Sequence, residues 1–160
     1  MNKNNNKILI FILLLLLGSI LLAFYIEYIL GHKPCRLCIY QRYPYYVSIL
    51  LILNILVINK YPKKTFLGLS IISFIGASIA FYHFGIEQGF INESLVCETQ
   101  KLGVNPTKEE ILMQLSKNTI SCRDITFRVL GFSLASINTV FSLVLSYIFF
   151  KLFKNYEINR

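Results

Sequence analysis

Charge is scarce in this chain, and tryptophan is missing altogether. Only 15% of the 160 residues are charged, against about 25% in ordinary soluble domains. The scarcity is uneven, because residues 8–26, 43–59, 65–84 and 129–150 hold no Asp, Glu, Lys or Arg at all. Acidic residues are the rarer sign, eight against sixteen basic ones. A basic balance can mark a nucleic-acid face, but here the charges flank the apolar runs. That pattern is one of membrane topology, and no nucleic acid is expected as a partner. No glycine-rich phosphate loop, glycosidase-like carboxylate pair or internal repeat is present. Nothing therefore points to nucleotide chemistry, glycoside hydrolysis or a solenoid.

What is there instead is apolar length. A helix needs roughly 20 residues to cross the hydrocarbon core, within a range of about 17–25. Single strands leave their backbone unsatisfied in lipid, so each run reads as a helix. The expectation is an all-α integral membrane protein, a bundle of four transmembrane helices at about 8–29, 43–59, 65–84 and 129–150. Its outer loops are 30–42 and 85–128, and one membrane domain covers residues 1–160. The leading "MNKNNNK" resembles the charged start of a signal peptide. The apolar stretch behind it exceeds the usual 7–15 residues and no A-x-A-like site follows, so a retained first helix is expected.

Lysines orient the bundle. Lys3 and Lys7, then Lys60, Lys63 and Lys64, then Lys151, Lys154 and Arg160 occupy the three segments that must share a side. That side is expected to be the cytoplasm, with both termini. The second outer loop shows no positive bias. The first carries Lys33, Arg36 and Arg42 against the rule, which asks for another explanation of those charges.

All four cysteines fall in the outer loops: Cys35 and Cys38 in the first, Cys97 and Cys122 in the second. An even count on the non-cytoplasmic side suits disulfide chemistry. Three readings compete. Structural staples account for Cys97 and Cys122, but a closed C-x-x-C ring restrains almost no chain, and such tight pairs are typically redox-active. A four-cysteine metal cage is disfavoured by the wide spacing of the second pair and by an oxidising compartment, so no metal is expected. A redox relay fits both pairs, and it needs an electron acceptor. At the mouth of a helix bundle a lipid-soluble quinone suits that need.

In "GHKPCRLCIYQRYPYY", residues 31–46, Arg42 follows Cys38 by four residues, which on one helix shares its face. A cation and a helix N-terminus both favour a thiolate. Pro44 conflicts with this, since it biases Tyr43 away from the α region. Arg42 is read as functional rather than as a snorkelling anchor, and Tyr40, Tyr43, Tyr45 and Tyr46 as an interfacial aromatic belt. His83, at the outer end of the third run, is an intramembrane ionisable residue and a candidate on that ground. Glu87 is placed outside the core, and His32 and Glu27 are read as ordinary interface residues. Thr107 and Glu110 form a capping-box pattern that predicts a short amphipathic helix within 105–117. Ser73, Gly76, Ala77 and Ala80, with Gly131 and Ala135, permit close helix packing.

Taken in order, "PCRLCIYQRYPYY", "FYHFGIEQGF" followed by Cys97, and Cys122 before "RVLGFSLASIN" resemble the disulfide bond formation protein B family of bacterial inner membranes. The resemblance runs from the first helix to the fourth. It implies a protein-dithiol:quinone oxidoreductase that reoxidises a periplasmic thioredoxin-like (DsbA-like) thiol oxidase. Ubiquinone or menaquinone would receive the electrons. By that resemblance Cys97 meets the partner, Cys122 exchanges with Cys35, and Cys38 contacts the quinone with Arg42 stabilising its thiolate. His83 matches a quinone-side histidine, less tightly. Two alternatives remain: a thiol–quinone enzyme like vitamin K epoxide reductase, whose C-x-x-C usually lies near the last helix, and a non-catalytic membrane protein with structural disulfides.

Overall fold

The computed structural model describes residues 3–58, 61–92, 121–123, 128–129 and 131–158. Four helices in it are long and apolar enough to cross a membrane: Asn5–Ile29, Arg36–Ile58, Pro62–Glu87 and Leu134–Tyr156. At about 1.5 Å rise per residue, the 26 residues of the third span roughly 39 Å, enough for a hydrocarbon core of about 30 Å.

Helix α1 (Lys3–Phe24) continues into one π-helical turn, Tyr25–Ile29. Helix α2 (Arg36–Tyr40) is a single short turn, and α3 covers Tyr43–Ile58. Helix α4 is Pro62–Glu87, opened by a proline in its first turn, where the missing N–H costs nothing. Helix α5 covers Leu134–Ile158. It starts later than the apolar run that predicted it. Gly131, with φ 88°, turns the chain so that β1 (Arg128–Val129) pairs antiparallel with β2 (Phe132–Ser133). Ser133 then caps the helix, its Oγ accepting from Ser136 N–H at 3.2 Å.

In lipid, apolar surface gains little by moving from acyl chains to a neighbouring helix, so small residues and interhelical hydrogen bonds must hold the bundle. Helix α4 shows both devices, and its interface with α5 is the most extensive among the described elements. Its buried face runs Leu69, Ser70, Ser73, Gly76, Ala77, Ala80, His83 and Ile86. Ser70 and Ser146 donate to each other's backbone carbonyls at 3.0 Å. A Cβ at Gly76 would stand 3.2 Å from Pro44 Cβ, so glycine lets the start of α3 close on α4.

Two buried clusters sit at opposite ends. The larger lies toward the end that carries both termini and joins Leu9, Ile12 and Leu16 to Ile52, Ile55, Phe66, Leu69, Leu145, Phe149 and Leu152. The smaller, at the other end, is Cys35, Leu37, Ile86 and Cys122. The outward faces stay apolar, with Leu14, Leu50, Phe74, Phe81 and Val140 all exposed, as a lipid-facing surface requires.

Candidate functional site

The site is assembled at the end of the bundle opposite the start of α1, where the helix ends meet. Pro34 leads the chain into α2, and Cys35 is its N-cap. The cap is made by sulfur, with Cys38 N–H donating to Cys35 Sγ at 3.3 Å. Both thiols are free, and their sulfurs stand 2.8 Å apart. Cys35 is buried and Cys38 partly so.

His83 reaches the pair from α4. It lies on the same face as Gly76 and Ala80, so the stripe that packs α4 into the bundle also aims the imidazole inward. Its Nε2 is 3.5 Å from Cys35 Sγ and 3.6 Å from Glu87 Oε1. Glu87 is turned inward rather than out into the loop, and its side chain is 6% exposed. Its Oε2 is buried without a hydrogen-bond partner.

Cys35 lies ahead of the membrane-spanning part of α2 and titrates far from an ordinary thiol. Its pKa is lowered to about 5, chiefly by the hydrogen bond from Cys38 and further by His83, against the opposing effect of burial. Both contacts favour the thiolate form of Cys35.

From His83 a line of hydrogen bonds crosses the bundle. Gln41 Nε2 donates to His83 Nδ1 at 2.8 Å, and Asn138 Nδ2 donates to Gln41 Oε1 at 2.6 Å. Tyr45 Oη donates to Asn138 Oδ1 and stands 3.2 Å from Ser142 Oγ. Three of these residues went unremarked or misread in the sequence. Gln41 is buried in the turn between α2 and α3. Tyr45, assigned to the aromatic belt, points inward, while Tyr43 remains exposed. Asn138 had a legible signal, since an amide inside a 22-residue apolar run is costly unless it is bonded.

Pro44 decides the place of Arg42. The helix is interrupted at Gln41–Arg42 and resumes at Tyr43, with Tyr46 N–H bonding Arg42 O at 3.1 Å. The guanidinium turns to the π-helical turn, where Arg42 Nη1 is 2.7 Å from Glu27 Oε2. It also lies over the Phe24 ring, 5.2 Å from the centroid.

These groups border one cavity of about 310 Å³. Ile20, Ala23 and Ile26 of the first span and Ile137 and Phe141 of α5 form its apolar wall, and Cys38, Gln41, Arg42, Tyr45, His83 and Asn138 its polar end. A flat apolar ring carrying two carbonyls, the chemistry of a quinone, fits such a lining. The ligand atoms of Cys35, Cys38 and His83 all lie within 4.8 Å of one another, and they are donors that zinc accepts. Two thiolates on one tetrahedral zinc would stand about 3.7 Å apart, farther than this pair. The spacing suits sulfur–sulfur bond formation better.

Cys122 is 1% exposed and packs in the same cluster as Cys35. It is disulfide-bonded. Cys97 and the short helix expected within 105–117 lie outside the described residues.

A family model described as disulfide bond formation protein DsbB matches residues 5–152. The uncharacterized protein RP370 of Rickettsia prowazekii (strain Madrid E) is 29% identical over 145 residues, covering 88% of this chain and 81% of that protein. No solved structure matches.

Proposed function

The chain belongs to the disulfide bond formation protein DsbB family, and on that premise we propose that it reoxidises a soluble thioredoxin-like thiol oxidase and passes the electrons to a quinone. Membership carries a role in disulfide formation, with thiol oxidoreductase chemistry, for a multi-pass membrane protein. The partner, the quinone and the bacterial inner membrane are our reading.

The observation that carries it is a free thiol pair, with Cys35 placed to favour its thiolate, at the polar end of an apolar cavity between membrane helices. In this reading the partner's thiolate attacks the second-loop disulfide at Cys97 and releases Cys122 as a thiol. The partner's second thiol displaces Cys97 and leaves the partner oxidised. Cys122, packed beside Cys35, then attacks the Cys35–Cys38 disulfide at Cys35 and releases Cys38. Cys97 closes back onto Cys122 and releases Cys35, so that pair is left reduced. A bound quinone accepts two electrons and two protons. Closing Cys35–Cys38 gives up two electrons and the proton of the remaining S–H. The second proton comes from solvent, which received it when Cys35 ionised, so the cycle balances. Cys38 borders the cavity and faces the acceptor. Arg42 supplies a fixed positive charge there, and His83 donates to Cys35.

Purified protein, the reduced partner and ubiquinone or menaquinone are combined, and quinone absorbance is followed. Partner-dependent loss of quinone that vanishes in Cys38→Ser supports the reading. Partner oxidation without quinone consumption overturns it.

A further inference from the structure

The line of hydrogen bonds behind His83 has a direction. An amide nitrogen can only donate and an amide oxygen only accept. Gln41 gives an N–H to His83 Nδ1 and receives one from Asn138 at its Oε1. Asn138 keeps its own Oδ1 for Tyr45 Oη, and Ser142 Oγ approaches the same oxygen at 3.5 Å. Two hydroxyls therefore meet the Asn138 oxygen and leave its nitrogen to Gln41. Each amide turns the next, and the last partner is an imidazole nitrogen that must carry a lone pair.

A neutral imidazole with a bare Nδ1 has its proton on Nε2. That nitrogen is the one beside Cys35 Sγ, at 3.5 Å. The other end of the line agrees. Cys35 Sγ already accepts from the Cys38 N–H, so the sulfur is placed as an acceptor and gains from a further donor.

We infer that Gln41 and Asn138 are positioning residues that hold His83 as its Nε2–H tautomer, with its one proton turned to the Cys35 sulfur. Gln41 bonds the imidazole and Asn138 bonds Gln41, so both act through the imidazole. Without them the proton is free to sit on Nδ1, and Nε2 then presents a lone pair to the thiolate, which repels it.

Other groups face the same proton. Glu87 Oε1 is 3.6 Å from Nε2 and competes for it. Cys38 shares the Cys35 sulfur. From the 121–123 segment the Cys122 backbone accepts a hydrogen bond from the imidazole and is a further acceptor for its proton, while its sulfur is in a disulfide and does not titrate. Across the cavity Arg42 is paired with Glu27. The Gln41 amide is the side chain bonded to Nδ1, so it decides the tautomer.

The inference takes from the proposed function only the reason a thiolate matters. The tautomer is read without any turnover, so either idea can fail alone. The experiment uses the full-length protein in detergent with ¹⁵N-labelled histidine, its Cys35–Cys38 pair reduced and the Cys122 disulfide left intact. The chain has two histidines, and His32→Asn assigns the signals. Imidazole nitrogen shifts should show Nε2 protonated and Nδ1 bare. Gln41→Leu should give a mixture of tautomers. It should also raise the midpoint of Cys35 alkylation against pH by about one unit, roughly a fivefold slower reaction at pH 5. Gln41→Glu places an acceptor at Nδ1 and should show both nitrogens protonated. If Gln41→Leu does not insert, Asn138→Leu tests the next link, with a shift of the same sign. Protonated Nδ1 in the parent overturns the inference. So does a Gln41→Leu protein with the parent's spectrum and midpoint.

Discussion

Arg42 Nη1 stands 2.7 Å from Glu27 Oε2, an ion pair in which the two side chains are 14% and 22% exposed. The acid comes from a π-helical turn, Tyr25–Ile29, and π turns inside helices often mark functional sites. The pair gives the arginine a resting partner at the cavity's polar end, in place of the direct Cys38 contact that i, i+4 spacing implied.

If Arg42 serves the acceptor, Arg42→Ala should raise the quinone concentration needed for half-maximal rate by about tenfold, the worth of one charge-assisted hydrogen bond. Mixed-disulfide formation with the partner should be unchanged. Arg42→Lys should recover only part of the loss, because an ammonium lacks the planar fork. Steady-state quinone reduction across a quinone titration checks this. Parent rates for Arg42→Ala at every quinone concentration would reduce Arg42 to a structural anchor.

Reactivity at Cys35 should follow its thiolate. The pKa is lowered from an ordinary thiol's 9.0 to about 5, so the thiolate is present at neutral pH and is lost as pH falls through about 5. Iodoacetamide labelling of the reduced protein, read by mass spectrometry, should level off above about pH 6, one unit past that midpoint. The reagent's own pH dependence is subtracted first. A midpoint at an ordinary thiol's value would show that Cys38 and His83 do not stabilise the charge.

The order of exchange is open to trapping. With Cys122→Ser, Cys97 is a free thiol that opens the oxidised partner's disulfide, and with no Cys122 to displace the partner a covalent complex should accumulate at Cys97. With Cys97→Ser nothing should be trapped at that position. Equal trapping by both variants, seen on non-reducing gels, would refute the assigned order.

Packing at Gly76 predicts a stability effect remote from the chemistry. Gly76→Val pushes a branched side chain against Pro44 and should cost about 1–3 kcal/mol. At Gly68, on the same helix, a Cβ would meet nothing within 4 Å, and Gly68→Ala should be neutral or slightly stabilising. Unfolding of detergent-solubilised protein separates them, and equal losses would refute the close approach of α3 to α4.

Topology follows from the lysines. Membrane-impermeant maleimide applied to intact, reduced cells should label Cys97 but spare Lys60→Cys. The reverse pattern would invert the bundle.

The four spans were legible in the chain alone. Apolar length, absence of charge and the backbone's need for internal hydrogen bonds leave helices as the outcome, and those terms are local. The same reading put all four cysteines outside the apolar runs. Which residues become neighbours was not legible. In a soluble helix, polar and apolar faces tell which side turns inward. Here the lipid-facing and buried sides are both apolar, so periodicity had no contrast with which to separate Tyr45 from Tyr43 or Glu87 from the loop. Gln41, His83 and Asn138 come from a turn and two helices, the first pair 42 positions apart in sequence and Gln41 and Asn138 97 apart. Each offsets the cost of burial only by finding the others, a condition set by how the helices pack and not by any stretch of chain.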